Sequence, residues 1–386
     1  MDTIHSVPRK IIVAPNAFKG SLSAKAAAWC IEEGIRISLP DADVVSLLVS
    51  DGGDGFVQAL EFGLKANEYS LVVSGPLGSP VQSSFLYSPE KQIAIIEMAK
   101  SSGLALLNPN ELDPMGSSTY GVGEMIVAAL DLGATHFIIG IGGSATNDGG
   151  TGMATALGVR FFDDGGNSIP GNAENLSRIK RIDLSGMDSR LSSVTFDVAC
   201  DVNNILLGPQ GAAAVYGPQK GATPEQVKKI EEGLAQLASV INHDLGKDVR
   251  LIEGGGAAGG LGATLYALLN AQIKPGAELL LDILNFDDLL KDADLVITTE
   301  GRLDFQTGFG KAPSIVANRA KRLNVPTVIV CGQVESETFN WQAFGFLKVY
   351  SLSDSEISTE FAMTHTEKLL IAKSNLLINE FMMAGT

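Results

Sequence analysis

The sequence predicts an α/β fold with two domains: a Rossmann- or flavodoxin-like domain with a parallel sheet, built from both chain ends, and an inserted mixed α/β domain. A chain of 386 residues is too long for one compact core. Continuous apolar runs occur near both ends, and such runs are typical of parallel strands that are covered on both faces. The 43 glycines suit a fold with many strand-to-helix turns. We place the first domain at residues 1–75 plus 286–386 and the inserted domain at 76–285.

The two chain ends show the same order of elements. The N-terminal part reads as a strand at 10–14, a helix that ends at Ile35 and a strand at 43–49. The C-terminal part reads as a strand at 293–299, a helix from Pro313 to Leu323, strands at 327–331 and 346–351, and a closing helix at 366–382. Alternation of strands with helices favours a parallel sheet.

The middle of the chain has a different pattern. Residues 81–97 read as a β-hairpin around the turn SPEK, and further strands are predicted at 137–141, 159–162 and 194–199. The best-marked helix runs from Thr223 to Asp244, with Thr223 and Gln226 as a capping box, Pro224 at its first position and Gly246 after its end. An insertion of this kind leaves a cleft between domains, where small molecules commonly bind.

Composition limits the functional classes. A net charge of −16 argues against nucleic acid or anionic membranes as partners, because their phosphates need a basic surface. The sequence has no apolar run of membrane-spanning length, no apolar signal core, and three widely spaced cysteines that fit neither a disulfide framework nor a zinc site. We expect a cytoplasmic enzyme whose substrates are small molecules. A homodimer is possible, but the sequence does not specify the oligomeric state.

The most informative stretch is HFIIGIGGSATNDGG, from His136 to Gly150. A β-favouring run leads into a glycine-dense turn, and a helix-compatible segment follows. Such a turn can bring backbone N–H groups close to a phosphate. We therefore predict phosphate or nucleotide contacts from a group of four residues: Gly142, Gly143, Ser144 and Thr146. The same loop carries Asn147 and Asp148, so it also offers an amide and a carboxylate.

Four other loops carry polar residues beside glycine. They are APNAFKGSLS with Lys19, VSDGGDGF with Asp51 and Asp54, CDVNN with Asp201, and TTEGRLDFQTGFGKAPS with Glu300, Arg302, Asp304 and Lys311. Two carboxylates in one tight loop repel each other unless a cation or hydrogen bonds offset them, and Mg²⁺ prefers oxygen ligands. The stretch GGGAAGGLGAT at 254–264 reads either as tight helix packing or as space for a nucleotide.

Two alternatives remain open at this point. GIGGSA matches the lenient dinucleotide fingerprint G-x-G-x-x-G/A, so an NAD-dependent dehydrogenase of a small hydroxy acid is the second hypothesis. A binding module without catalysis is the third, but it leaves the carboxylates and lysines at strand ends unexplained. The segment GFGKAP lacks the first glycine and the hydroxyl residue of a P-loop.

Taken in order, these loops resemble the signature segments of the glycerate kinase family. The segments are APNAFKGSLSA, SDGGDG, GIGGSATNDGGTGM, ACDVNN, GPQKGAT, GGGAAGGLGA and TEGRLDFQTGFGKAP. The resemblance implies ATP with Mg²⁺ as the phosphoryl donor and D-glycerate as the acceptor, usually at its 2-hydroxyl. Asn16 stands where aspartate is expected, Asp54 where glutamate is common, and Thr299 where glycine is common.

This resemblance gives each polar residue a hypothetical role in phosphoryl transfer. Catalytic roles fall to Lys19 and Lys311, which would offset charge on the transferred group, and to Asp201 or Asp304, which would orient the hydroxyl and accept its proton. Substrate binding falls to Arg302 as a bidentate carboxylate clamp, with Asn147 and Glu300. Asp148 and one of Asp51 or Asp54 would bind Mg²⁺.

Overall fold

The computed structural model describes residues 10–50, 55–303, 311–335 and 340–383. The chain divides into two compact units: Met1–Gly63 with Ala277–Thr386 (unit 1), and Leu64–Gly276 (unit 2). The sequence-based boundaries at 75 and 286 lie later in the chain than these.

The strands and helices follow one another along the whole chain. The strands are β1 (Lys10–Pro15), β2 (Asp43–Ser46), β3 (Asn67–Ser74), β4 (Pro80–Ser88), β5 (Ile93–Glu97), β6 (His136–Gly140), β7 (Arg160–Phe162), β8 (Ser168–Ile169), β9 (Arg181–Asp183), β10 (Thr195–Ala199), β11 (Gln272–Lys274), β12 (Leu295–Leu303), β13 (Thr327–Val334) and β14 (Phe346–Ser351). The α-helices are α1 (Ala24–Ser38), α2 (Phe56–Leu64), α3 (Ala99–Ser102), α4 (Tyr120–Asp131), α5 (Thr151–Ala156), α6 (Ala212–Tyr216), α7 (Pro224–Leu245), α8 (Ala257–Leu269), α9 (Gly276–Ile283), α10 (Phe286–Leu290), α11 (Ala312–Arg322), α12 (Thr359–Thr364) and α13 (Thr366–Met383).

Unit 1 contains a five-stranded parallel sheet in the order β14-β13-β12-β1-β2. Ile11 to Ala14 of β1 are fully buried, which explains the continuous apolar run in the sequence. Counted within the unit, the strand order is 2-1-3-4-5, as in flavodoxin-like folds. The order reverses between β1 and β12, and in such sheets ligands bind beyond the carboxyl ends of the strands at this reversal.

Unit 2 contains a six-stranded mixed sheet in the order β11-β10-β6-β5-β4-β3. The first four strands are parallel, and β4 pairs antiparallel with both β5 and β3, as the predicted hairpin requires. Because the ladder partner of β3 is β4, residues 67–74 belong to this sheet, although the sequence placed residues up to 75 in the other domain. A small antiparallel sheet, β8-β7-β9, was not predicted.

Local signals in the sequence located α1, α7, α11 and α13, whereas most of the other described helices were not predicted. The capping box of Thr223 and Gln226 is present at the start of α7, and Gly246 ends the helix in the left-handed conformation. The strand predicted at 43–49 is observed as the shorter β2, which ends at Ser46. Hydrogen bonding to β1 nevertheless extends beyond Ser46, because the N–H groups of Leu47 and Val49 donate to backbone carbonyls of β1. Among the described helices, none is both long and apolar enough to span a lipid bilayer.

Candidate active site

A cavity of about 350 Å³ lies in unit 1 at the carboxyl ends of β1 and β12. Four of the predicted site residues line it: Lys19, Glu300, Arg302 and Lys311. Lys19 follows β1, Glu300 and Arg302 lie near the carboxyl end of β12, and Lys311 precedes α11. The sheet therefore gathers residues that are almost 300 positions apart in the sequence at its topological switch point.

This cavity concentrates positive charge within an acidic protein. Two lysines and one arginine line it with one glutamate, whereas the whole chain carries a net charge of −16. Arg302 forms an ion pair with Glu335 at 2.8 Å, and both side chains are at least half exposed. Exposed pairs of this kind contribute little stability, so a carboxylate ligand can replace Glu335 at small cost. The excess of positive charge among these four side chains favours a small anion as the ligand of the cavity.

Glu300, which lines this cavity, is held by two hydrogen bonds. Its carboxylate accepts a hydrogen bond from the Asn16 side-chain amide at 3.4 Å and another from the backbone N–H of Gly301 at 3.0 Å. The Thr299 hydroxyl in turn donates to the backbone carbonyl of Asn16 at 2.6 Å. Asn16 and Thr299, the two departures from the resemblance that lie here, thus form one hydrogen-bonded group with Glu300.

The glycine-rich loop of unit 2 follows β6 and consists of an exposed tip and a buried half. Gly142 and Gly143 are exposed, and Gly143 has a left-handed backbone with φ of 71°. Ser144 is 9% exposed, while Thr146, Asn147 and Asp148 are completely buried. Of the four predicted phosphate contacts, only Gly142 and Gly143 lie at an accessible surface.

Asp148 is surrounded by hydrogen-bond donors. One carboxylate oxygen accepts from the backbone N–H and the hydroxyl of Thr119, both at 2.8 Å, and from the N–H of Gly152 at 3.1 Å. The other oxygen accepts from the N–H of Gly150 at 3.1 Å. Burial raises the pKa of the Asp148 carboxyl, while these hydrogen bonds oppose the shift by favouring the ionised form. This geometry argues against direct Mg²⁺ binding by Asp148, because donors already face both oxygens.

The buried half of the loop is covered by the glycine-rich stretch around α8. Gly149 donates its N–H to the carbonyl of Gly259 at 3.0 Å, and the hydroxyl of Thr264 donates to the carbonyl of Gly149. A Cβ on Gly259 would lie 2.1 Å from the Thr146 carbonyl oxygen. Of the two interpretations of residues 254–264, the structure supports close backbone packing against this loop.

Asn147 also faces the interior. Its side-chain amide donates to the carbonyl of Pro114 at 3.3 Å, and the residue has no exposed surface. Such a position suits anchoring of the loop better than the predicted contact with substrate.

Lys220 and Thr119 belong to this network but were not predicted. Lys220 is 1% exposed, and its ammonium donates to the carbonyl of Thr146 at 2.6 Å. Burial lowers the pKa of Lys220 to about 7, and the negative charge of Asp148 opposes that shift. Lysine in a glycine-flanked turn is normally exposed, so nothing in the sequence indicated a buried side chain at Lys220. The one sequence feature that pointed to this residue was its place in the segment GPQKGAT, which resembles a family signature.

The remaining predicted residues lie elsewhere or outside the described residues. Asp201 follows β10, beside β6, and one of its carboxylate oxygens accepts the N–H of Gly276 at 2.8 Å. Asp51, Asp54 and Asp304 lie outside the described residues. Within the described part of the chain, no three His, Cys, Asp or Glu side chains cluster in a way that could hold a metal ion.

Comparisons with known proteins agree with the resemblance seen in the sequence. The sequence profile of the glycerate kinase family matches residues 11–381. The chain is 44% identical over 360 residues to a glycerate kinase of Halalkalibacterium halodurans, covering 93% of this chain and 95% of that protein. It is 43% identical over 346 residues to the glycerate 2-kinase of Escherichia coli, covering 90% and 91% of the two chains.

A solved structure shows the same fold. The crystal structure of a candidate glycerate kinase 2 from Salmonella typhimurium LT2 superposes with a TM-score of 0.85 at 44% identity, covering 96% of this chain and 97% of that chain. The dehydrogenase alternative finds no support. The pyrophosphate of a bound dinucleotide would need the backbone N–H groups at the start of α5. The N–H groups of Gly150 and Gly152 already donate to the Asp148 carboxylate and so do not face a ligand. The chain belongs to the glycerate kinase family.

Proposed function

We propose that this protein transfers the γ-phosphoryl group of ATP to the 2-hydroxyl of D-glycerate. Membership of the family makes the chain a glycerate kinase, and its E. coli relative is a glycerate 2-kinase. The supporting observation is the cavity of unit 1, where three cationic side chains and one carboxylate meet at the switch point of the sheet. Three expectations from the sequence stay predictions: that the enzyme is cytoplasmic, that it forms a homodimer, and that the reaction takes place in a cleft between domains.

The cationic residues of unit 1 act on the charge of the reacting groups. We assign Lys19 and Lys311 to neutralising negative charge on the transferred phosphoryl group. Arg302 exchanges its exposed partner Glu335 for the carboxylate of glycerate, which the planar guanidinium can bind in a bidentate manner. We assign Glu300, which Asn16 and Gly301 hold, to accepting a hydrogen bond from a hydroxyl of the same substrate.

The loop of unit 2 acts through its backbone. We propose that the N–H groups at the exposed tip, Gly142 and Gly143, contact phosphate oxygens of ATP. Asp148 contributes by holding the loop in this conformation rather than by contact with the nucleotide, because Thr119, Gly150 and Gly152 donate to its carboxylate. Ser144, Thr146 and Asn147 support the same conformation from the buried side.

The transfer itself needs a proton acceptor. A bond forms between the glycerate oxygen and Pγ, the bond from Pγ to the bridging oxygen breaks, and ADP leaves. The hydroxyl proton passes to a carboxylate, for which Asp201 and Asp304 remain the two candidates. Asp201 is exposed at the end of β10 and keeps its place through the N–H of Gly276.

Mg²⁺ is part of the proposal. When bound, it neutralises charge on the phosphates of the nucleotide. Proteins usually bind Mg²⁺ through one or two carboxylates together with phosphate oxygens, so no dedicated cluster of side chains is needed. The buried oxygens of Asp148 do not fit this requirement, and we keep one of Asp51 or Asp54 as the proposed ligand.

An ATP-consumption assay with D-glycerate tests the proposal, and ³¹P and ¹H NMR of the product distinguishes the 2-phosphate from the 3-phosphate. Turnover should require Mg²⁺ and disappear with EDTA. Lys311→Met should lower kcat on the order of 10²-fold, whereas Lys25→Met, at an exposed position of α1, should leave it unchanged. Absence of glycerate-dependent ADP formation would refute the activity, and equal rates in the two variants would remove Lys311 from the mechanism.

A further inference from the structure

Lys220 is among the largest completely buried side chains of the protein. It ends a short 3₁₀ turn, Pro218–Lys220, which Gly221 closes in the left-handed conformation with φ of 92°. Residues 217–222 are also tied by backbone hydrogen bonds, since Lys220 and Ala222 both donate to the carbonyl of Gly217. The turn therefore presents the lysine from a backbone with little freedom.

The burial of this ammonium is unfavourable unless polar groups compensate for lost water. The Thr146 carbonyl accepts its hydrogen bond at 2.6 Å, and the nearby charge of Asp148 stabilises its protonated form. An apolar side chain of similar length would fill the same space without that cost, because replacement of buried charges is often neutral or stabilising. Stability alone is thus a weak reason for a lysine at this position.

The contact has a specific location in the glycine-rich loop. Thr146 lies three residues after the exposed Gly143 and two residues before Asp148. Its carbonyl oxygen also lies against Gly259, so the lysine and the α8 segment together determine the orientation of this peptide group. A rotation of this peptide would move the tip at Gly142 and Gly143, because only Ser144 and Ala145 separate them.

We propose that Lys220 is a positioning residue for phosphoryl transfer: by fixing the Thr146 peptide group, it sets the direction in which the Gly142–Gly143 backbone meets the phosphates of ATP. The inference rests on the proposed function of the loop. Lys220 touches neither substrate, because it is buried behind the loop. It acts only through the conformation of residues 142–148.

Lys220→Met tests the proposal, with Lys247→Met as a matched control. Lys247 also donates to backbone carbonyls of unit 2, those of Tyr266 and Ala267, but at the end of α8. Displacement of reacting groups by about 1 Å costs on the order of 10²-fold in rate. We therefore expect Lys220→Met to lower kcat by that order and to leave KM for glycerate within about twofold, while Lys247→Met keeps kcat.

Amide hydrogen exchange gives a readout that does not depend on activity. The amide of Ala145, which donates to the carbonyl of Ser102 at 2.9 Å, should exchange at least about tenfold faster in Lys220→Met than in Lys247→Met, because the neighbouring Thr146 carbonyl loses its partner. If Lys220→Met fails to fold, Lys220→Gln retains an N–H donor without the charge and should show an intermediate loss of kcat. An inactive wild type would refute the proposed function but leave the exchange test valid.

Two results would overturn the inference. One is a folded Lys220→Met or Lys220→Gln protein with the kcat of the wild type. The other is exchange of the Ala145 amide that matches the Lys247→Met control, since a residue with a merely structural role would change overall stability and not this loop in particular.

Discussion

Gly259→Ala should destabilise unit 2 and impair the glycine-rich loop together. Gly259 has a left-handed backbone with φ of 66°, and a Cβ there would lie 2.1 Å from the Thr146 oxygen and 2.6 Å from the Asn147 Cα. Both contacts are with backbone atoms, which cannot move aside as a flexible side chain could. The loop itself must therefore shift.

The size of the effect follows from two contributions. The left-handed conformation costs an L-residue about 1–2 kcal/mol. Insertion of atoms into a packed region costs about 1–3 kcal/mol more. The sum, about 2–5 kcal/mol, is a large part of the net stability of a typical domain, which is about 5–15 kcal/mol. At about 2–4 °C per kcal/mol, the Tm of unit 2 should fall by roughly 4 to 20 °C.

Thermal unfolding by circular dichroism measures this shift, with Gly246→Ala as the matched control. Gly246 has φ of 69°, and its Cβ would meet nothing within 4 Å, so this variant isolates the conformational cost. It should lower Tm by roughly 2 to 8 °C, the conformational contribution alone, and keep kcat, whereas folded Gly259→Ala should show a larger shift and lose turnover. Equal Tm shifts for the two variants would refute the argument that residues 254–260 hold the loop by close contact.

Two further predictions concern charged side chains. Arg302→Lys should raise KM for glycerate about tenfold with a smaller effect on kcat, because lysine cannot form the bidentate pair. The control Glu335→Gln should not raise KM for glycerate. Steady-state kinetics that show an unchanged KM in Arg302→Lys would reject the carboxylate clamp. Burial raises the pKa of Asp197, but the hydrogen bond from His136 and the charge of Lys274 outweigh burial and hold the pKa below its ordinary value. Its stabilisation is therefore present above about pH 4 and lost as pH falls through the folded pKa. Urea unfolding should show Asp197→Asn less stable than wild type by about 1–3 kcal/mol at pH 7, with the difference shrinking below pH 4, and a constant difference would contradict this assignment.

The fold could be predicted largely because its signals are local. Apolar runs marked most of the described strands, though not β3, β8, β9 and β11, and the capping box of Thr223 and Gln226 marked α7. The assignment of β3 to unit 2 could not be predicted in this way, because a strand joins a sheet through its ladder partner, here β4. Nothing in residues 67–74 alone specifies that partner.

The candidate site was predicted in part for the same reason. Lys19, Glu300, Arg302 and Lys311 follow or end parallel strands, and strand ends meet at one edge of a sheet, so their convergence follows from topology. The roles of Asp148 and Lys220 depend on burial, which comes from distant segments. Lys220 is 74 positions from Thr146, and Thr264 is 115 positions from Gly149. In the sequence, the charges of the Asp148 and Lys220 side chains suggested groups that are accessible to solvent.

The parallel pairing of β1 with β12 has a consequence for biosynthesis. Ile11 pairs with Leu295, so the N-terminal strand leaves the ribosome long before its neighbour exists. Unit 2 is contiguous in the sequence and can form while translation continues, whereas β1 and β2 must wait with unpaired edges. Prematurely terminated chains would therefore lack the cavity of unit 1 altogether, and their unpaired strands would be the first targets for chaperones and for aggregation.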